Sequence, residues 1–215
     1  MKKRRVTLFL TFIIVITLLL VSFTVYINTL EPTICIDAGH GGFDGGAVAN
    51  NVVEKDITLK ASLILGSMLE HTGYKVIYTR TQDLSLTNDK VTDMKERLKI
   101  INRKTNILYI SIHANTYPSN KVFGAQVFYS NNIELSKKLA EYIQDYFLQE
   151  DKTNNRLAKL INGKYLTDNA VIPGCIVELG FMSNEHDLNI LMNDKTLEYR
   201  CLMIYLGILK YLEYN

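Results

Sequence analysis

Between residues 33 and 215, short β-branched runs alternate with longer stretches of helical periodicity, and this alternation constrains the fold more than any other feature. The short runs predict five strands: Thr33–Asp37, Lys75–Thr79, Ile107–Ile112, Ala125–Tyr129 and Cys175–Glu178. The longer stretches predict five helices: Glu54–His71, Met94–Lys104, Ile133–Gln149, Asn184–Met192 and Lys195–Tyr214. Because strands that alternate with helices pair in parallel, the pattern predicts an α/β sandwich with a mainly parallel sheet.

The N-terminal segment has a different character, since residues 6–30 are 25 consecutive residues without a charge. About 20 helical residues cross the hydrocarbon layer of a bilayer, so this segment predicts a membrane-spanning helix. A cleaved signal peptide, the alternative, usually has an apolar region of about 7–15 residues and an A-x-A-like exit, whereas the first alanine here is Ala38. The basic run at residues 2–5 predicts a cytoplasmic N terminus. We therefore expect an anchor over residues 1–30 and one extracytoplasmic domain over residues 31–215.

Charge and motif content argue against nucleic acids and nucleotides as partners. The chain has 24 Lys and Arg against 22 Asp and Glu, and without residues 2–5 the balance is 20 against 22. Such a body lacks the concentrated basic surface that phosphate neutralisation needs. A G-x-G-x-x-G motif from Gly39 would require glycine where Asp44 stands, and no Gly-Lys-Ser/Thr occurs. The glycines around His40 are better explained by close approach of metal and substrate to the backbone.

Four polar residues stand where a parallel sheet places its functional site, beyond the carboxyl ends of the strands. His40, His113 and Glu178 follow or end predicted strands, and Glu54 opens the first predicted helix. Two imidazoles and one carboxylate make a three-ligand site that leaves a fourth position for water, as in catalytic zinc centres. Glu178 fits the role of a carboxylate that accepts and returns a proton.

Each of these residues also has a structural interpretation. A histidine at a strand end is commonly a hydrogen-bonded loop residue, and an acid such as Glu54 suits a helix N terminus. Glu178 follows an apolar run, so its carboxylate needs a partner or a metal nearby. His71 and His186 lack such a setting, and we expect them to be structural or surface residues.

Covalent catalysis has little support in the sequence. There is no G-x-S-x-G elbow, and no cysteine lies beside a histidine at a strand end. The three cysteines, Cys35, Cys175 and Cys201, are expected to be small buried hydrophobes. Oxidation of one pair outside the cytoplasm remains open.

Four sequence blocks resemble the zinc-dependent N-acetylmuramoyl-L-alanine amidases of bacteria. The blocks are IDAGHGGFDGGAV (36–48), VEKDITLKASLILGSMLEHTGYKVIYTR (53–80), SIHAN (111–115) and VELGFMSN (177–184). The resemblance covers about residues 33–213 and implies that His40, Glu54 and His113 bind one zinc ion while Glu178 is catalytic. It also implies a twisted sheet of six strands and hydrolysis of the amide between the lactyl group of muramic acid and the L-alanine of the peptidoglycan stem peptide. Ala38 replaces the proline that is usual in the first block.

The short, anchored architecture most resembles the spore-cortex members of this family. That resemblance implies removal of stem peptides before a partner polysaccharide deacetylase acts, formation of muramic-δ-lactam, and a place at the forespore envelope in preparation for germination. Some relatives need an activating protein. Three further residues are candidates for substrate binding: Asn115, Arg80 and Arg97. Alternatively, Asn115 is a turn residue, and the two arginines brace a helix and a loop through charge-assisted hydrogen bonds.

Two other functions remain open at the level of sequence. One is a non-catalytic wall-binding or assembly protein that has kept the fold. The presence of all four site residues argues against this function. The other is a metallopeptidase that cuts within the stem peptide. Identification of the reaction products would distinguish this enzyme from an amidase.

Overall fold

The computed structural model describes the backbone of residues 2–29 and 33–214, and the side chains of the first helix over residues 9–22. The chain divides into two compact units, Met1–Pro32 and Thr33–Asn215. The first unit holds helix α1 (Lys2–Thr29). Residue 30, the end of the predicted anchor, and the predicted domain boundary after it lie outside the described residues. In the described part of the chain, no helix has both the length and the apolar character needed to cross a membrane.

The second unit contains eight strands and six helices within residues 33–214. The strands are β1 (Thr33–Ala38), β2 (Val48–Ala49), β3 (Val52–Val53), β4 (Lys75–Tyr78), β5 (Asn106–Asn115), β6 (Gln126–Tyr129), β7 (Lys159–Leu160) and β8 (Gly174–Phe181). The helices are α2 (Glu54–His71), α3 (Lys90–Ile101), α4 (Glu134–Glu150), α5 (Tyr165–Asn169), α6 (Glu185–Met192) and α7 (Asp194–Glu213).

Six strands form one sheet in the order β4-β1-β5-β8-β6-β7. All neighbouring strands run parallel except β6 and β8, which are antiparallel. The predicted α/β fold with a mainly parallel, six-stranded sheet is therefore confirmed. Strands β2 and β3 form a separate hairpin immediately before α2.

The sheet separates two hydrophobic cores because successive side chains of a strand point to opposite faces. Ile34 and Ile36 of β1 pack in the larger core with α2, α4 and α7, whereas Cys35 between them packs in the smaller core with residues of α3 and α5. All three cysteines are buried free thiols, as expected for small hydrophobes. Burial raises the pKa of each thiol, which keeps all three inert.

Several element boundaries differ from the predicted ones. Helix α3 begins at Lys90 rather than Met94, because the Asp89 side chain accepts a hydrogen bond from the Thr92 amide and caps the helix. Strands β5 and β8 both continue past their predicted ends, because they pair with each other as far as Asn115 and Phe181. The hairpin, β7 and α5 were not predicted, since segments of two to five residues are too short to show a period.

Candidate metal centre and active site

His40 is the first candidate ligand and follows the end of β1. Its backbone has a φ of 63°, in the left-handed region. Its Nδ1 lies 3.0 Å from Asp44 Oδ2, and its Nε2 lies 3.2 Å from Glu54 Oε2. An Nδ1–H donated to Asp44 leaves the lone pair of Nε2 facing Glu54, which is the usual arrangement of a histidine that binds a metal.

Glu54 is the first residue of α2, and the β2–β3 hairpin delivers it there. Its Oε1 accepts hydrogen bonds from His113 Nδ1 at 2.9 Å and from the Ala114 amide at 3.2 Å. Its Oε2 accepts from the Ala47 amide at 2.9 Å. Burial alone would raise the pKa of this carboxyl, but the adjacent His113 and His40 imidazoles outweigh it and hold the pKa well below its usual range. Glu54 is therefore an ionised carboxylate, the form that binds a cation.

His113 and Glu178 are neighbours across the β5–β8 pair, where they occupy the same register position. Both lie inside their strands, whereas the sequence placed His113 just beyond its strand and Glu178 at the end of its own. The rings of His113 and His40 are 5.0 Å apart at an interplanar angle of 84°. Burial opposes protonation of His113, but its hydrogen bond to Glu54 and the nearby Glu178 carboxylate raise its pKa.

One potential ligand atom from each of His40, Glu54 and His113 lies within 4.8 Å of the other two. Two imidazole nitrogens and one carboxylate oxygen are a donor set that suits zinc and leaves a coordination position open. The residues present therefore fit the metal that the sequence predicts. These three residues lie far apart in the chain, at positions 40, 54 and 113, and the fold brings them together.

Glu178 lies beside this cluster with one oxygen unsatisfied. Its Oε2 is buried and has no hydrogen-bond partner among the described residues. Burial raises the pKa of the carboxyl, despite the opposing charge of His113. A buried carboxyl oxygen without a partner is costly and is found chiefly where a function requires it. A raised pKa suits a group that accepts and then returns a proton.

Two glycines give the metal centre its space. A Cβ on Gly39 would lie 2.4 Å from His113 Cε1 and 2.7 Å from the Ile112 carbonyl oxygen. A Cβ on Gly46 would lie 2.6 Å from Glu54 Oε2, at a φ of 70° that side chains rarely adopt. These contacts bring side chains of the candidate ligands close to the backbone, whereas close approach of metal and substrate stays a prediction.

Two buried arginines hold the loop that carries His40. Arg97 donates to the carbonyl oxygens of Ala38 at 2.7 Å and His40 at 2.5 Å. Arg80 donates to the carbonyl oxygens of Ala38 at 3.0 Å and Gly39 at 2.9 Å. These contacts match the bracing alternative, and the prediction that either arginine binds substrate stays a prediction.

Asn115, the third candidate for substrate binding, ends β5. Its side-chain oxygen accepts from the Thr116 amide at 2.8 Å, and its backbone carbonyl accepts from the Met182 amide at 2.7 Å. The first contact is typical of a turn residue. A role in binding substrate stays a prediction for Asn115 as well.

A cleft of about 280 Å³ opens at the metal cluster. Its lining includes His40, His113 and Glu178 together with residues 161, 164, 165 and 166. Clefts of this size that combine apolar walls with a few convergent polar groups are the usual sites for small ligands.

Comparison with known proteins shows which family has this fold. Residues 34–210 match the family described as N-acetylmuramoyl-L-alanine amidase. The chain belongs to this amidase family. The family that the sequence blocks predict is thus confirmed, together with hydrolysis of an amide in peptidoglycan.

Three relatives illustrate the likeness of this amidase to known family members. Over 186 residues it is 40% identical to the germination-specific N-acetylmuramoyl-L-alanine amidase of Bacillus subtilis strain 168, covering 83% of this chain and 78% of that protein. The structure of the CwlD amidase from Clostridioides difficile in complex with the GerS lipoprotein superposes with a TM-score of 0.81 and 36% identity. That match covers 86% of this chain and all of the CwlD chain. Amidase AmiC2 of Nostoc punctiforme gives a TM-score of 0.76 at 28% identity, over 85% of this chain and 97% of that one.

Sequence reasoning missed several residues of the amidase site. Asp44 was considered only as the residue that breaks a glycine motif, although it contacts His40 Nδ1. An acid four residues after a candidate ligand, in the same glycine-rich loop, was an available signal. Lys164, which lines the cleft, left no signal, because its segment shows neither a motif nor a period.

Proposed function

We propose that this amidase uses one zinc ion, held by His40, Glu54 and His113, to cleave the amide between the lactyl group of muramic acid and L-alanine. The ligand cluster supports the proposal, because its donor atoms lie close together and suit zinc. When bound, zinc would polarise the lactyl carbonyl and make an attacking water more acidic. Asp44 orients His40 through its contact with Nδ1.

Glu178 moves the proton in this mechanism. Its unpartnered oxygen takes a proton from the attacking water as the new carbon–oxygen bond forms. The same carboxyl then gives that proton to the nitrogen of L-alanine as the carbon–nitrogen bond breaks. The products are a lactyl carboxylate on the glycan and a stem peptide with a free amino terminus.

The unsatisfied Oε2 of Glu178 is the observation that carries this mechanism, and a single substitution tests it. Glu178→Gln preserves the shape of the side chain but removes its capacity to accept the proton. We expect the variant to bind zinc in the same molar ratio as the wild type and to lose at least about 100-fold in activity, as general acid–base catalysis contributes typically 10²–10⁴-fold. Glu185→Gln, on an exposed residue of α6, is the matched control and should leave both quantities unchanged. Loss of zinc from Glu178→Gln would instead make Glu178 a ligand.

The biological setting we propose is the cortex of a bacterial spore. Support comes from the relative named as germination-specific and from the likeness to CwlD. Removal of stem peptides there would prepare muramic acid for a polysaccharide deacetylase and for closure to muramic-δ-lactam. A deletion strain that forms spores whose cortex lacks this lactam would support the setting, and a cortex with normal lactam content would refute it.

An activating protein and a membrane anchor complete the proposal. The CwlD amidase is in complex with a lipoprotein, and we propose a partner of this kind for the present chain. The charge-free segment of residues 6–30 is the support for the anchor. With the basic residues 2–5 in the cytoplasm, the catalytic unit would face the peptidoglycan at the forespore envelope.

A further inference from the structure

The cleft beside the metal cluster holds more charged side chains than the proposed chemistry uses. Most of them neutralise each other. Lys90 Nζ lies 3.1 Å from Asp44 Oδ2. Arg97 pairs with Asp37 at 2.9 Å and with Asp93 at 2.7 Å. These contacts account for three acids and two cations of the cleft wall.

Two charged groups of the cleft are left over. One carboxylate oxygen of Glu178 has no hydrogen-bond partner among the described residues, and the proposed proton transfer explains why this oxygen is left without one. Lys164 lines the same cleft, and no described residue forms an ion pair or a side-chain hydrogen bond with its ammonium group. The ammonium is therefore an available cation beside the reaction centre.

The Lys164 side chain makes no hydrogen bond at the start of α5, and its charge lies near enough to act on the Glu178 carboxylate. Lys164 occupies the N-cap position of α5. Among the described residues, only its backbone carbonyl forms hydrogen bonds, which it accepts from the Asp168 amide at 2.9 Å and from Thr167 Oγ1 at 3.0 Å. Since the residue is exposed, its side chain is replaceable without loss of the fold.

The sheet places Lys164 on one side of the reaction centre. Strand order puts β1, which leads to His40, on one side of the His113–Glu178 pair and β7 on the other. Lys164 follows β7, and the partly apolar side chains of Ile161 and Tyr165 line the cleft near it. A substrate that reaches across the pair toward β7 therefore meets an apolar wall that carries one positive charge.

The chemistry of the substrate shows what this charge would bind. The glycan around the lactyl ether is uncharged, whereas the stem peptide continues from L-alanine to a γ-linked D-glutamate whose α-carboxylate is either free or amidated. Extended peptide spans about 3.3–3.6 Å per residue, so this carboxylate lies within about 7 Å of the scissile amide. We infer that Lys164 binds the α-carboxylate of the second stem-peptide residue and makes the amidase selective for peptides in which that carboxylate is free. The inference rests on the proposed function.

Binding of two matched ligands tests the inference. The full chain carrying Glu178→Gln, loaded with zinc in detergent, is titrated calorimetrically with N-acetylmuramoyl-L-alanyl-D-glutamate and with the D-isoglutamine form, which differ only in the amidated α-carboxylate. We expect the acid to bind about tenfold more tightly than the amide, since a charge-assisted hydrogen bond is lost in the amide. Adding Lys164→Met should bring this ratio to about one, and Lys164→Arg should restore part of it. Lys152→Met, on an exposed lysine outside the cleft, should leave the ratio unchanged.

Equal affinity for the two ligands, or a preference for the acid that survives Lys164→Met, would overturn the inference. If neither ligand bound, the inference would fall together with the proposed function. Cleavage of peptidoglycan by the wild-type chain separates the two cases. Cleavage at the lactyl amide without acid selectivity would leave the proposed function standing and remove only the role of Lys164.

Discussion

At the scale of single residues, Gly39 shows how little space surrounds the proposed metal ligands. Gly39→Ala places a methyl group against the His113 imidazole and the Ile112 carbonyl, at 2.4 and 2.7 Å. Overpacking of this kind costs about 1–3 kcal/mol, and here the strain falls on a ligand. We expect zinc affinity to fall at least about tenfold, in line with the low end of that range, as measured by competition with a chelator.

A second alanine substitution in the same loop controls for this effect. The Cβ of Gly45→Ala would meet only Val53 Cγ1, at 3.3 Å, and its zinc affinity should remain close to that of the wild type. Similar losses in the two variants would mean that general loop flexibility, rather than contact with His113, determines metal binding.

Asp37 links the stability of the fold to pH. Its carboxylate accepts hydrogen bonds from Arg97 at 2.9 Å, Ser111 at 2.6 Å and Thr79 at 2.7 Å. Burial works against ionisation, but the Arg97 charge and these bonds lower the pKa of Asp37 below its ordinary value. Because the folded pKa is the lower one, the stabilisation is complete above the unfolded pKa, about 3.9, and is lost as pH falls through the folded pKa.

Asp37→Asn should therefore destabilise the protein mainly at neutral pH. Removing one partner of a buried ion pair costs about 3–5 kcal/mol, so we expect a loss near the low end of this range at pH 7 in urea unfolding. The difference from the wild type should narrow below about pH 4, where the unfolded carboxyl begins to bind its proton. Asp145→Asn, on an exposed residue of α4, should show no such trend. A difference that is constant or grows toward acid pH would refute this role of Asp37.

At the scale of elements, the β2–β3 hairpin positions Glu54, a proposed metal ligand, without contributing a ligand itself. Asn50 and Asn51 form its turn with φ values of 50° and 61°, as in type I′ turns. The Asn50 side chain donates to the Met182 carbonyl at 3.0 Å, just beyond β8. The hairpin is thereby tied to the strand that carries Glu178 and leads directly to Glu54 at the start of α2.

Two substitutions at Asn51 separate backbone conformation from side-chain chemistry. Asn51→Val introduces a β-branched residue at positive φ, which costs about 1–2 kcal/mol, whereas Asn51→Gly adopts the same backbone readily. We expect thermal stability and zinc affinity to fall in the valine variant and to stay near the wild-type values in the glycine variant. Equal behaviour of the two variants would show that the hairpin does not position Glu54.

The sequence was informative about elements long enough to show a period and about ligands next to them. The sequence singles out His40, Glu54, His113 and Glu178, because each adjoins a strand or helix of recognisable pattern, and the fold brings the first three together; their roles stay predictions. The positions of His113 and Glu178 inside the sheet were not found, since the register of β5 on β8 is a long-range pairing that one strand does not encode. Bracing by Arg97 was one of two interpretations of the sequence, but its partner, the His40 carbonyl, was not predicted because it lies 57 positions away in the chain.

At the scale of the whole molecule, the predicted topology is open to a direct test. A reporter enzyme that is active only outside the cytoplasm, fused after residue 215, should be active in intact cells if the charge-free segment is the proposed anchor, with its basic end inside. The same fusion to residues 31–215 alone lacks the predicted anchor and should be inactive. Activity of a cytoplasmic reporter alone, fused at the same point of the full chain, would contradict the predicted orientation.

The measurement that tests the central claim most directly is mass spectrometry of the products from purified peptidoglycan in water enriched with heavy oxygen. The account predicts that the zinc-loaded chain releases stem peptides that begin with a free L-alanine amino group and leaves one heavy oxygen in each lactyl carboxylate. Glu178→Gln should keep its zinc and give neither product. Cleavage within the stem peptide, or undiminished release by Glu178→Gln, would contradict the account.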